Sequence, residues 1–155
     1  MYWTQDFERV LPLLGHRNWI LVVDKAYPYA SSPGITYLDT KAPLLDVLER
    51  VVADIGASTH IEPVYYTDRE LEFLTEALAP GSEAFRADLK KRLEGAAVQT
   101  LLHDSVFKKL DEAAKLFQVV VLKTECTIPY TSVFIELACG YWSAEKEQAL
   151  REKMK

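Results

Sequence analysis

Five polar side chains of types that exchange protons or bind ligands lie at the ends of apolar segments. His16 precedes a five-residue apolar run, and Asp24 follows that run directly. His103 follows another segment with the pattern of a strand, and Tyr130 and Ser132 lie between the last two such segments. In open α/β sheets, ligands bind outside the carboxyl ends of the strands. These five residues are therefore the candidate functional residues of the chain.

Each candidate also has an ordinary structural interpretation. An aspartate after a strand is usually a turn former or a helix cap, and Tyr130 after Pro129 fits a packed loop aromatic. His16 could donate to the free carbonyls of a preceding helix, which we expect Gly15 to end in the left-handed conformation. The joint placement of the candidates at strand ends is what favours a common site.

The spacing of His16 and Asp24 restricts how they can act together. Eight residues separate them, and at about 3.3 Å per residue a straight strand holds them roughly 25 Å apart. If both serve one site, either the chain folds back before Trp19 or a second copy of the protein completes the site.

Charge and motif content exclude several function classes. The net charge is −5 with scattered Lys and Arg, whereas a nucleic-acid-binding protein needs a basic stripe. No apolar run approaches the ~20 residues that cross a bilayer, and the acidic N-terminus is unlike a signal peptide. We expect a cytoplasmic protein with reduced thiols, because Cys126 and Cys139 indicate no disulfide framework.

Cofactor and metal motifs are missing from the sequence as well. It contains no P-loop, no Gly-x-Gly-x-x-Gly and no Gly-x-Ser-x-Gly elbow. The three histidines, His16, His60 and His103, have no spacing typical of metal ligands. We therefore expect no metal and no cofactor.

Apolar periodicity predicts strands that alternate with helices, which favours a single-domain α/β fold with three layers and a largely parallel sheet flanked by helices. Residues 1–142 form the predicted domain, and residues 143–155 a charged helical tail. Pro12 should kink or tighten the first helix, and Pro63 should push its strand toward an edge of the sheet. The predicted helices are 4–14, 43–56, 71–78, 82–95 (capped by Ser82), 105–117 and 143–155; the predicted strands are 19–23, 35–38, 61–66, 97–102, 119–122 and 132–138.

Two motifs resemble the D-ribose pyranase and L-fucose mutarotase family. Gly15-His16, then Asp24 eight residues on and Pro28 four beyond it, resembles a Gly-His segment that leads through a buried strand to an aspartate and a loop ending in Pro. The segment from Val119 to Ser132 is similar to the strand, turn and Tyr-x-Asn signature of the family. The resemblance extends from about residue 7 to residue 140, with only pattern in between.

The resemblance implies a role for each candidate. His16 matches the catalytic histidine, Asp24 a sugar-binding aspartate and Tyr130 the tyrosine of the signature. Ser132 stands where the family has a sugar-binding Asn, and His103 falls near a second histidine of the pyranases. The resemblance also implies a ring-shaped homo-oligomer, often a decamer, with sites at subunit contacts.

The implied activity is that of an isomerase that interconverts anomers or ring forms of a monosaccharide. His16 would open the ring by acid–base catalysis without a cofactor, while Asp24, Tyr130, Ser132 and His103 bind the sugar. Two alternatives remain open. One is a non-catalytic monosaccharide-binding relative, suggested by Ser132 in place of Asn; the other is a member that acts on a different small ligand, such as a nucleoside or sugar phosphate.

Overall fold

Strands and helices alternate along the chain, as the apolar pattern predicts. The computed structural model describes residues 2–155. The strands are β1 (Trp19–Val23), β2 (Ile35–Asp39), β3 (Ile61–Asp68), β4 (Val98–Leu101), β5 (Val119–Lys123) and β6 (Val133–Cys139). The helices are α1 (Tyr2–Val10), α2 (Leu44–Gly56), α3 (Ser82–Arg92), α4 (His103–Ala114) and α5 (Ala144–Lys153).

The strands form one six-stranded sheet in the order β2-β5-β1-β6-β3-β4. Strand β1 pairs in parallel with β5, and so do β2 with β5 and β3 with β4. Strand β6 runs antiparallel to both of its neighbours, β1 and β3. The prediction of a largely parallel sheet is confirmed, since β6 alone among these six strands runs in the opposite direction.

Helices cover both faces of the sheet and produce the three predicted layers. Strand β1 is buried along its whole length because apolar side chains pack on both of its faces. One face packs against α1, α2 and α3 through residues such as Phe7, Val47 and Leu89. The other face packs against α4 through Val106 and Leu110.

The C-terminal helix α5 has no buried residue. The side chain of Ser143 caps its first turn, and the Trp142 indole donates a hydrogen bond to Glu147. The division of the chain after residue 142 stays a prediction. No helix within residues 2–155 is long and apolar enough to span a membrane.

The first helix tightens at Pro12, as expected. Helix α1 passes into a 3₁₀ turn at Leu11–Leu13, because proline offers no N–H to continue the α-helical pattern. Gly15 does not end the helix in a left-handed conformation, so this prediction is wrong. The positive φ of 79° belongs to Arg17, in a turn that Asn18 N–H closes by donating to the Gly15 carbonyl.

Three other local predictions need correction. The segment 71–78 is not an α-helix; a 3₁₀ turn at Arg69–Phe73 is followed by irregular backbone. Ser82 does not cap α3, because Gly81 occupies the cap position and the Glu76 carboxylate accepts from the Gly81 and Glu83 N–H groups. Strand β3 is interior, but its pairing with β4 covers only residues 65–68, so the N–H that Pro63 lacks is not needed for a hydrogen bond to β4.

Gly140, just after β6, lies directly against the backbone of β3. A Cβ at this position would come within 2.9 Å of the Ile61 nitrogen and 3.0 Å of the Ile61 oxygen. Gly56 at the end of α2 offers a matched comparison, since nothing lies within 4 Å of a Cβ built there.

We predict that Gly140→Ala destabilises the protein by about 1–3 kcal/mol, because neither backbone can move without disrupting the β3–β6 pair. Gly56→Ala should be neutral or stabilise by up to about 1 kcal/mol, since alanine favours a helix over glycine. Chemical denaturation of both variants measures the difference. Equal stabilities would contradict the close packing of Gly140 on β3.

Candidate functional site

Four of the five candidate residues lie at one edge of the sheet. Asp24 follows the carboxyl end of β1, and His103 begins α4 two residues after β4 ends. Because β6 is antiparallel, its first residues lie at the same edge, and Tyr130 and Ser132 immediately precede it. This edge is where ligands bind in open α/β sheets.

Asp24 and Ser132 form a reciprocal hydrogen-bonded pair. The Asp24 backbone N–H donates to Ser132 Oγ at 3.1 Å, and that hydroxyl donates to Asp24 Oδ1 at 3.1 Å. Ser132 is buried, while Asp24 is half-buried. The serine therefore fixes the direction of the carboxylate, and the second carboxylate oxygen of Asp24 stays available.

The loop between β5 and β6 crosses the end of β1 and brings Tyr130 and Ser132 to Asp24. The backbone N–H and hydroxyl of Thr124 both donate to the Val23 carbonyl, at 3.0 and 2.7 Å. The Lys25 N–H donates to the Cys126 carbonyl at 2.7 Å. Tyr130 has a φ of 61°, an unusual conformation for a non-glycine residue, and its side chain is 38% exposed.

His103 forms a hydrogen bond with a buried carboxylate that comes from a neighbouring strand. Its Nδ1 lies 2.8 Å from Oδ2 of Asp68, the last residue of β3. The Asp68 side chain is fully buried, whereas 28% of the His103 side chain is exposed. The His103 backbone N–H donates to the Glu70 carboxylate at 3.0 Å, so Glu70 caps the N-terminus of α4.

Aromatic side chains surround the His103 imidazole. Phe107 contacts it edge-on with ring centroids 4.5 Å apart, and Tyr130 contacts it edge-on at 5.5 Å. Phe134 of β6 lies at 6.3 Å. Tyr27 stacks on Phe107 at 5.8 Å and extends this surface toward the β1–β2 loop. Aromatic faces beside hydrogen-bonding groups suit a ligand that has both C–H and O–H surfaces.

Burial and neighbouring charges shift the ionisation of this cluster. Burial raises the pKa of Asp68 to about 6, the nearby His103 lowers it, and the charges of Glu70 and Asp24 raise it. Burial also raises the pKa of the Tyr27 phenol, and Asp111, Asp68 and Asp24 are among the charged groups that raise it further. Carboxyl groups with a perturbed pKa and a specific charged partner are typical of functional sites.

His16 lies at the opposite edge of the sheet, before the amino end of β1. The adjacent Arg17 N–H donates to the Leu137 carbonyl, and its guanidinium lies over the Phe117 ring at 5.7 Å. His16 itself is exposed in the turn. The chain does not fold back toward Asp24, so only the second geometric alternative, completion by another copy, can unite His16 with Asp24. His60 Nε2 lies within hydrogen-bond distance, at 2.9 Å, of the Leu14 carbonyl at the end of the first helix.

Asp68, Tyr27 and Phe107 are members of the cluster that sequence reasoning did not name. Asp68 carried the same signal as Asp24, an aspartate at the carboxyl end of a strand, but the predicted strand ended two residues earlier. Tyr27 and Phe107 have no sequence signal that separates them from packed aromatics. Within residues 2–155, no group of three or more His, Cys, Asp or Glu side chains could hold a metal ion.

A cavity of about 610 Å³ adjoins the cluster. Tyr27 and Phe107 line it together with apolar residues of β1, β5 and α4, but Asp24 and His103 do not. Asp24 and His103 thus lie beside this cavity and not in its wall.

The fold is shared with several solved structures. RbsD from Bacillus subtilis, complexed with D-ribose, matches with a TM-score of 0.58 and 20% identity over 89% of this chain and 93% of that chain. FucU from Bifidobacterium longum matches with a TM-score of 0.57 and 11% identity over 85% and 92% of the two chains. The fucose mutarotase from Streptococcus pneumoniae, complexed with L-fucose, matches with a TM-score of 0.55 and 13% identity over 84% and 89%.

These matches confirm the resemblance at the level of the fold. No protein-family model matches the chain. No curated protein sequence matches it either. The similarity is therefore carried by the three-dimensional arrangement.

The raised pKa of Asp68 predicts how stability depends on pH. A carboxyl group with a usual pKa near 3.8 and a folded pKa of about 6 stabilises the fold fully below pH 3.8, and this contribution is lost as the pH rises through 6. We predict that the wild type loses about 2–3 kcal/mol relative to Asp68→Asn between pH 4 and pH 8. Urea unfolding of both proteins across this range measures the difference, and parallel curves would contradict a protonated, buried Asp68 at low pH.

Proposed function

We propose that the protein is a mutarotase- or pyranase-like isomerase that interconverts anomers or ring forms of a monosaccharide. The observation that carries this proposal is the convergence of Asp24, Ser132, His103 and Tyr130, from separate segments of the chain, at one edge of the sheet. The shared fold supports it, because two of the similar proteins were solved with D-ribose and L-fucose.

The proposed reaction needs only proton transfers. A base takes the proton of the anomeric hydroxyl, C1=O forms, the bond between C1 and the ring oxygen breaks, and an acid protonates the ring oxygen. Rotation of the open chain and attack by a hydroxyl on the other face, or by a different hydroxyl, reverses these transfers and yields the new form. No electrons are gained or lost, so the two proton-transfer groups return to their starting states.

The proposed roles follow from the contacts of each residue. His16 exchanges a proton with the sugar, because a histidine serves as acid and base near neutral pH. Asp24 binds sugar hydroxyls with the carboxylate oxygen that Ser132 leaves free. Tyr130 supplies an aromatic face and a phenol, and His103 binds through the ring nitrogen that faces away from Asp68. Ser132 contributes by orienting Asp24.

A second copy of the protein completes this proposed site. The five residues of β1 alone separate its two ends by roughly 15 Å, so His16 and Asp24 of one chain cannot hold the same sugar. His16 is exposed and its neighbours leave it free to contact another copy. The proposal therefore includes a homo-oligomer. We extend it to a decameric ring, because this is the assembly that the family resemblance implies. It also includes a cytoplasmic location, since Cys126 and Cys139 are free thiols.

A non-catalytic monosaccharide-binding protein is the second candidate. Ser132 is the observation that favours it, because its hydroxyl is engaged with Asp24 and an amide at this position would keep further donors for a ligand. A phosphorylated ligand is disfavoured because the two cationic side chains near the site already have partners. Lys25 pairs with Glu125 at 3.0 Å, and Lys123 donates to the Tyr27 carbonyl.

We predict that His16→Gln lowers the enzyme-dependent rate of anomer exchange by roughly 10²–10⁴-fold, the usual contribution of a general acid–base group. Saturation-transfer NMR on D-ribose and L-fucose measures this rate above the spontaneous one. His60→Gln is the matched control, since the His60 imidazole hydrogen-bonds the Leu14 carbonyl, which a Gln amide can also bind. If calorimetry detects sugar binding by the wild type but NMR detects no increase in the rate of anomer exchange, the non-catalytic binding protein is favoured instead.

Mixing two inactive variants tests the shared site in the same assay. Each variant removes one of the two groups that a site between copies needs, His16 from one copy or Asp24 from the other. In a random one-to-one mixture of His16→Gln and Asp24→Asn chains, about a quarter of the sites combine a wild-type His16 with a wild-type Asp24. Unfolding and refolding the two variants together should restore activity to that level. Activity no higher than that of either variant alone would show that the two residues do not act in a site between copies.

A further inference from the structure

One nitrogen of the His103 imidazole is committed to a buried carboxylate, and the other is free. Nδ1 lies 2.8 Å from Asp68 Oδ2. Within residues 2–155, Nε2 has no hydrogen-bond partner, and the side chain, which contacts the Tyr130 ring, is partly exposed. An imidazole in this state has one nitrogen anchored in the fold and one available to a ligand.

The surroundings fix the plane of the ring as well as its anchor. Phe107 and Tyr130 both meet it edge-on, with interplanar angles of 70° and 85°, and Phe134 packs at 60°. The Glu70 cap holds the backbone of the same residue at the start of α4. The ring cannot flip without losing the Asp68 bond, so the free nitrogen keeps one direction.

The buried position of the Asp68 carboxylate is unfavourable for the stability of the fold. Its side chain is fully buried, and its Oδ1 has no hydrogen-bond partner within the described residues. The other charged groups that act on Asp68, Asp24 and Glu70, are both acidic, so His103 is the hydrogen-bond donor that the surroundings offer to this carboxylate. An apolar residue of similar size would avoid the burial of an incompletely bonded carboxylate.

We propose that Asp68 is a positioning residue that holds His103 as the Nδ1–H tautomer, so that Nε2 acts as the base for the anomeric hydroxyl of the sugar. This inference rests on the proposed function and adds to it the second proton-transfer group that ring opening requires. The Nδ1–H donates to Asp68 Oδ2, which leaves the lone pair of Nε2 to accept a proton.

The proton balance of the step uses both histidines. Nε2 of His103 takes the proton from the anomeric hydroxyl and becomes an imidazolium, whose charge the Asp68 carboxylate stabilises. The ring oxygen receives a proton from His16 of the neighbouring copy as the bond between C1 and that oxygen breaks. On ring closure, His103 returns its proton to the carbonyl oxygen, and His16 recovers one from the attacking hydroxyl.

Two substitutions of Asp68 separate its charge from its role as an acceptor. Asp68→Leu removes the acceptor, so Nδ1 loses its partner and the imidazole should revert to the Nε2–H tautomer that a free side chain prefers. We expect enzyme-dependent anomer exchange to fall by roughly 10²-fold or more, mainly in kcat. Asp68→Asn removes the charge and keeps a side-chain oxygen, but its amide can also turn the NH2 toward Nδ1, so we expect a reduced rate and a partial shift to the Nε2–H tautomer.

Nitrogen NMR of histidine-labelled protein at pH 8 reports the tautomer directly, with the His103 signals assigned by their loss in His103→Gln. Magic-angle spinning makes the measurement independent of oligomer size. Glu70→Gln is the matched control, because it also contacts His103 but only at the backbone N–H, and Gln keeps an acceptor there. The His103 tautomer in Glu70→Gln should match that of the wild type.

The tautomer and the rate test different parts of the account. An Nε2–H tautomer in the wild type, or an unchanged tautomer and rate in Asp68→Leu, would overturn the inference. A stable Asp68→Leu protein with the shifted tautomer and a strongly reduced rate would support it, since structural damage lowers stability and activity together. A wild type that leaves all sugar anomers at the spontaneous rate contradicts the proposed function, while the tautomer still decides the state of His103.

Discussion

The hydrogen bond between the buried Asp68 carboxylate and the His103 imidazole is the interaction on which the site of this protein depends. It joins the end of β3 to the start of α4, and it gives a half-exposed histidine a fixed direction at the edge of the sheet. Burying a carboxylate with one unbonded oxygen costs stability, and the same burial raises the pKa of Asp68. The fold retains this arrangement where an apolar residue would pack at least as well.

The reversed direction of β6 explains why the remaining residues gather beside this pair. Because β6 inserts between β1 and β3, the loop that leads into it must cross the end of β1. The crossing brings Ser132 into contact with Asp24 and presents Tyr130 to His103. The same topology leaves His16 at the far edge, so one chain carries two incomplete halves. An assembly of copies is the geometric consequence if both halves serve one sugar.

The sequence allowed part of this to be predicted, for physical reasons that differ between residues. Asp24 follows a strongly apolar segment, so its position at a strand end could be inferred from the apolar pattern, whereas His103 follows the largely exposed β4, whose pattern is weaker. The separation of His16 from Asp24 followed from the rise per residue of a strand. Asp68 was missed because β3 ends in the polar pair Thr67-Asp68, which tertiary contacts bury against the site. The segment 71–78 has helical apolar spacing, but it forms a 3₁₀ turn and a loop in which Arg86 of α3 donates to the Leu71 and Leu74 carbonyls.

The most direct test of the central claim is a crystal structure of the full chain soaked separately with D-ribose and L-fucose, with all neighbouring copies generated. The account predicts one sugar ring held by Asp24 and Tyr130, with its anomeric hydroxyl within hydrogen-bond distance of His103 Nε2 and its ring oxygen near His16 of an adjacent copy. A sugar bound elsewhere would contradict this claim. So would a structure in which His16 of every copy lies far from Asp24, His103 and Tyr130.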